Sequence, residues 1–148
     1  MGHIRQARET DLQRISEIEV FAFRLQFYPV FLNDDYYFGE LRVDSRREKF
    51  ADSLDDIWVY DDGVVKGFVW VDGRQIKKLY VEPVLQGRGI GGALLEHAVS
   101  TLGADYLWAL EKNDRAIAFY QKHGFALTGE KIPEEDTIEF LVKMKLAR

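Results

Sequence analysis

The 148-residue chain has no cysteine. That excludes disulfides, thiolate metal sites and a covalent cysteine nucleophile. It has no basic excess either: 20 Lys and Arg stand against 25 Asp and Glu, a net charge of −5 with a pI near 5.2. A nucleic-acid binder normally carries a basic stripe or surplus, so no nucleic-acid partner is expected. No apolar run approaches the roughly 20 residues of a membrane span, and no secretory pattern opens the chain. A cytoplasmic protein without a membrane partner is therefore the expectation. His3, His97 and His123 are not spaced with carboxylates as metal ligands would be, so no metal is expected. Repeats, low-complexity tracts and linkers are also missing.

What is present fits one globular domain over residues 1–148, with 47% hydrophobic and 30% charged residues. Ile4 to Ala7 alternates weakly, as a first strand would. Thr10 with Gln13 has the capping-box pattern, and Leu12, Ile15, Ile18, Phe21, Ala22 and Leu25 then follow helical spacing. An aromatic stretch, Phe27 to Phe31, leads into Asn33 to Phe38 and reads as a loop with a short helix. Ser45 with Glu48 predicts a second capped helix ending near Leu54. The period then changes to two. Ile57–Tyr60, Val64–Val71 and Gln75–Val81, joined by Asp-Gly turns, predict an antiparallel meander. Leu94, Leu95, Ala98, Val99 and Leu102 mark the next helix, with Gly103 as its C-cap. Ala104–Leu110 reads as a strand parallel to the last of the meander, through a right-handed crossover. A helix capped by Asn113 or Asp114 ends at His123-Gly124, and Phe125–Gly129 with Thr137–Lys145 closes the sheet. The fold class is α/β in the broad sense, an α+β mixed sheet: a meander joined to a parallel βαβ pair, with helices on both faces.

The chemistry concentrates between Leu79 and Leu95. Gly87, Gly89, Gly91 and Gly92 let backbone N–H groups approach a ligand, and the following helix adds its unpaired amides and dipole. Together they make an anion cradle. Gly87-x-Gly89-x-x-Gly92, with Glu111 downstream, matches the dinucleotide fingerprint. That fingerprint, however, puts its first glycine directly at the strand end. Here Glu82 to Gln86 intervene, and the strand closes an antiparallel meander. A P-loop is excluded because no Gly-Lys-Ser/Thr follows.

Gln86-Gly87-Arg88-Gly89-Ile90-Gly91 resembles the Gln/Arg-x-x-Gly-x-Gly/Ala block of the GNAT superfamily, the acyl-CoA-dependent N-acyltransferases. A second block of that family is matched by Asn113 to Phe125. The resemblance is sharp from Leu79 to Phe125 and topological elsewhere. It implies a GNAT-like fold and acetyl-CoA as co-substrate. Residues Gln86, Gly87, Arg88, Gly89, Ile90, Gly91 and Gly92 would hold the pyrophosphate. The backbone of Leu79, Tyr80 and Val81 would pair with the pantetheine arm like an added strand. Asn113 and Ala116 would lie along that arm, and Tyr120 by the thioester sulfur. The family's members are often dimers, which leaves a homodimer open.

Acetyl transfer to an amine needs a free lone pair, a polarised carbonyl and a proton for the leaving thiolate. A strand-end N–H, that of Val81, suits the oxyanion. Tyr120, a core aromatic by pattern alone, suits the proton donor, since a phenol near 10 resembles an alkyl thiol. Without cysteine, direct attack in a ternary complex is expected. The base is open among Glu82, Glu111, Glu40, Tyr36 and a water chain. The strand position where many relatives carry glutamate reads Gln75-Ile76-Lys77-Lys78, and Trp108 stands where the branch acting on protein N-termini has an acid. Glu134-Glu135-Asp136 reads as a solvated turn. Aromatics with Asp34, Asp35 and Glu40 point first to a small primary amine as acceptor. A peptide or protein amine, or a non-catalytic acyl-CoA sensor, are the alternatives.

Overall fold

The computed structural model describes residues 2–147. Their frame is a seven-stranded mixed sheet. The strands are β1 (Ile4–Gln6), β2 (Ile57–Asp61), β3 (Val65–Asp72), β4 (Gln75–Val81), β5 (Tyr106–Leu110), β6 (Phe125–Pro133) and β7 (Phe140–Leu146), in the spatial order β1-β2-β3-β4-β5-β7-β6. The helices are α1 (Leu12–Gln26), α2 (Tyr28–Phe31), α3 (Val43–Ala51), α4 (Ile90–Ser100) and α5 (Asp114–Lys122). A π-helical turn, Asp35–Glu40, follows α2. β1 to β4 are antiparallel, β4 and β5 parallel, and β7 inserts antiparallel between β5 and β6.

The two sheet faces bury separate cores. On one, Leu94, Leu95 and Ala98 of α4 pack with Val69, Leu107 and Met144. On the other, Ile15 and Ile18 of α1 and Phe50 of α3 meet Ile57, Val59 and Phe68. Each such fully buried aliphatic side chain stabilises the fold by roughly 1.5–3 kcal/mol. Gly67 sets how closely α4 seats, because a Cβ there would lie 3.0 Å from Leu94 Cδ1 and 3.1 Å from the Tyr80 carbonyl.

Several local expectations are corrected. Thr10 and Gln13 form no cap. Instead Asp11 reaches back to accept from the Arg8 amide at 2.8 Å, and Arg5 donates to both Asp11 carboxylate oxygens. Gln13 donates outward to Glu17 and accepts from Arg47. Ser45 occupies the third helical position of α3, where it accepts from the Arg42 amide, so that helix is capped three residues earlier than read and ends at Ala51. Phe21 and Leu25 lie outside the α1 core stripe and are 41% and 48% exposed, while Glu19 lies inside it at 0%. In each case tertiary packing overrides a short-range pattern.

Candidate active site

β4 and β5 pair through only two residue positions, Gln75 with Tyr106 and Ile76 with Leu107. Beyond them the strands part, so Lys77 to Val81 have a neighbour strand on one edge only. The Glu82 amide donates to Lys66 on the β3 side at 2.9 Å. Amide direction alternates along a strand, so the Val81 and Leu79 amides face the gap. The gap opens into a cleft of about 1150 Å³. Gln86 closes its end by donating to the Val81 carbonyl at 3.4 Å.

The glycine loop forms the next wall. Gly87 and Gly89 have φ of +83° and +84°, the left-handed region that a β-branched residue resists. Gly89 caps α4, whose first turn-to-turn bond runs from Ala93 to Gly89. Among the described residues, no backbone carbonyl accepts from the amides of residues 87–92. An unpaired amide run at a helix start draws an anion. Gly91 lies in van der Waals range of Phe119, and a Cβ on Gly92 would lie 3.1 Å from His123 Nε2, so α4 and α5 meet closely here.

α5 supplies the far wall. The Asn113 side chain caps it, accepting from the Ala116 amide at 3.2 Å while donating to Gln26 at 3.4 Å. Tyr120 lines the cleft, its ring held edge-on by Phe119 and Phe125 at 5.2 and 5.9 Å. Burial pushes its phenol well above the usual range, so it stays protonated at any working pH. The hydroxyl has no protein hydrogen-bond partner among the described residues.

Of the sequence-predicted site residues, Leu79, Tyr80, Val81, Gln86, Gly87, Gly89, Ile90, Gly91, Gly92, Asn113, Ala116 and Tyr120 all line this one cleft. Arg88 is exposed outside the lining, and the Tyr80 ring packs against Phe23 and Phe68. The base candidates separate. Glu82 is paired with Arg14 at 3.2 Å and Glu111 with Lys131 at 2.9 Å, and neither lines the cleft; Glu40 and Tyr36 do. The Glu134 to Asp136 turn also lines it, which corrects the reading of a merely solvated turn. His97 has a packing role that the α4 stripe did not show: its ring lies 4.8 Å from Trp58, where burial lowers its pKa.

One cluster escaped sequence reasoning. Buried Glu19 of α1 pairs with Arg46 of α3 at 2.5 Å and with Lys78 of β4 at 2.6 Å. Lys49, Lys77 and Lys78 line the cleft beside it. A glutamate at helical spacing between Ile15 and Ala22 was the available signal. Among the described residues, no group of three or more His, Asp or Glu is placed to hold a metal, and no helix is long and apolar enough to cross a membrane.

A family model for the acetyltransferase (GNAT) domain matches residues 53–127. Over 63 residues the chain is 36% identical to the peptidyl-lysine N-acetyltransferase YjaB of Escherichia coli, 43% of either chain. It is 39% identical over 70 residues to the peptidyl-lysine N-acetyltransferase YiaC of the same organism, 46% of this chain and 48% of that one. The matches thus span about half the length of these curated relatives. In three dimensions the fold superposes on apo YjaB from Escherichia coli with a TM-score of 0.75 and 26% identity, covering 96% of this chain and 95% of that one. A Thermoplasma acidophilum PaiA N-acetyltransferase in complex with coenzyme A superposes at 0.72 with 21% identity, covering 96% and 97%.

Proposed function

The chain belongs to the GNAT acetyltransferase family, and we propose that it transfers the acetyl group of acetyl-CoA to a primary amine by direct attack in a ternary complex. The observation that carries this reading is the half-open β4 edge running into an amide-lined cradle. An extended thioester arm needs strand-like partners along its length and an anion site at its pyrophosphate. The β4–β5 gap and the Gly87–Gly92 amides offer both in that order. That the PaiA relative was crystallised with coenzyme A supports it.

The amine lone pair attacks the thioester carbonyl carbon, with the Val81 amide donating to the developing oxyanion. Such a preorganised donor is typically worth about 3–4 kcal/mol. As the tetrahedral intermediate collapses, the C–S bond breaks and Tyr120 gives its proton to the departing thiolate. Burial keeps the phenol protonated, so the proton is in place when the thiolate leaves. Glu40, or water between it and the Tyr36 hydroxyl, takes the proton of the attacking amine. Of the acceptor classes, a small amine agrees with the aromatic lining, and a lysine side chain agrees with the names of the relatives YjaB and YiaC.

Calorimetry with acetyl-CoA, desulfo-CoA and NAD tests the donor, followed by CoA release across an amine panel. Binding of the two CoA species and thiol release with at least one amine is expected. Tight NAD binding without response to acetyl-CoA would refute the reading. Binding of acetyl-CoA with no turnover on any polyamine, amino acid or lysyl peptide would make the chain a sensor module instead.

A further inference from the structure

The chain carries a net charge of −5, yet four cationic side chains gather around one end of its cleft. Arg46 and Lys78 are accounted for by the buried carboxylate of Glu19, at 2.5 and 2.6 Å. Lys49 and Lys77 are in excess. Both line the cleft, and among the described residues neither has a carboxylate within ion-pair distance. Lys77 rests its ammonium 4.7 Å above the Trp70 ring, and Lys78 holds its own 5.0 Å from Phe23. These contacts with ring faces hold the ammoniums in place. Glu19 offsets Arg46 and Lys78, while the exposed Lys49 and Lys77 leave a positive surface at the cleft that attracts an anion.

We infer that Lys49 and Lys77, beside the Glu19-paired Lys78, form a carboxylate-binding subsite, so that the acceptor is an amine bearing an anionic group at a distance from the reacting nitrogen. This rests on the acetyltransferase reading for the position of that nitrogen. Lys78 lies three residues before Val81 on β4, a span of about 10 Å along an extended strand. An α-amino acid holds its amine and carboxylate too close together to reach both points. An ω-amino acid, or a lysine flanked by an acidic residue in a peptide, reaches both. The opposite wall agrees with such a dipole. Glu40 and Glu134 line the cleft from the π-helical turn and the β6–β7 hairpin, where they attract the ammonium end.

The kinetic test compares 6-aminohexanoate with hexylamine as acceptors. Taken as a ratio in one enzyme preparation, any loss of folded protein cancels. A kcat/KM at least tenfold higher for the carboxylate-bearing amine is expected in the parent enzyme, falling toward one in Lys49→Met/Lys77→Met. A peptide pair carrying Lys-Asp or Lys-Asn separates the sources: an effect confined to peptides assigns the anion to a flanking residue. A ratio near one for both pairs, or a preference for hexylamine, overturns the subsite. Calorimetry with 6-acetamidohexanoate and N-hexylacetamide reads the subsite without catalysis. Tenfold tighter binding of the carboxylate, lost in the double variant, supports it even if turnover is absent. Equal affinities overturn it. Failure to bind acetyl-CoA would count against the acetyltransferase reading alone.

Discussion

Replacing Tyr120 with Phe isolates the proton donor from the scaffold. The ring keeps its edge contacts with Phe119 and Phe125, and the lost hydroxyl leaves no protein group unpaired. The expected cost to stability is therefore under about 0.5 kcal/mol, a shift of roughly 1–2 °C in Tm. Turnover behaves otherwise. A positioned general acid contributes about 10²-fold or more, so kcat should fall by at least that, equivalent to about 2.7 kcal/mol of transition-state stabilisation. Acetyl-CoA affinity should change less than twofold, because the hydroxyl serves only the departing thiolate and not the bound ground state. Steady-state release of CoA at saturating acceptor, with calorimetric acetyl-CoA binding and a melting curve on the same sample, gives all three values. A kcat within threefold of the parent, with Tm unchanged, would remove Tyr120 from the acid role and leave the thiolate to depart unprotonated. A large fall in Tm would show instead that the hydroxyl supports the α5 packing.

Two further perturbations test the frame around the site. Gly67→Ala should drive α4 off β3, since the added Cβ would lie 3.0 Å from Leu94 Cδ1 and 3.1 Å from a backbone carbonyl. Overpacking of this kind costs about 1–3 kcal/mol, and because α4 carries the cradle, thermal melts should show the loss together with weakened acetyl-CoA binding; intact affinity would uncouple the cradle from that seat. Lys49 gives a pH signature. Burial first, then the charges of Lys78 and Arg46, lower its amine from 10.5 to about 8, with Glu19 opposing. Between those values the unfolded chain binds more protons than the folded one, so this residue makes stability rise with pH across that window. Denaturant titrations from pH 7 to 10.5 should show that rise flattened in Lys49→Met, and an unchanged slope would refute the assignment.

The donor side of the site was legible because its requirements are local. Positive φ at Gly87 and Gly89 and the Asn113 cap of α5 are each set within a few residues, so the motif that encodes them is contiguous. The meander was legible for the same reason: hairpin neighbours pair, and β4 runs over Gln75–Val81 as its alternation predicted. Caps were less so. Thr10 and Ser45 satisfy a capping pattern in sequence, but the docking of Arg5 on Asp11 and the early start of α3 decided which side chain meets which amide. The closing hairpin also extends further than read, with β6 reaching Pro133 past a register shift between Leu127 and Lys131. The opposite wall was legible only in part: Tyr36 and Glu40 line the cleft from the aromatic segment the sequence singled out, while its other charged residues were not seen. Those others come from α1, α3, β4 and the β6–β7 turn, as single positions far apart in the chain.

β4 explains why the general base could not be read from the chain. On the α4 side Val81 and Leu79 join the core beneath the donor site, while on the α1 side Tyr80 and Lys78 meet Phe23 and Glu19. Many family members place a glutamate on this strand, and here the carboxylate sits across the interface on α1, with lysine on the strand. The acid is thereby held between Arg46 and Lys78, with one carboxylate oxygen engaged on each side. The strand thus presents lysines, not a carboxylate, to the cleft. On the reading proposed above, the acceptor loses its proton toward Glu40 and meets the lysines with an anion of its own. A positively charged polyamine meets neither condition as well as an amine that carries its own anion.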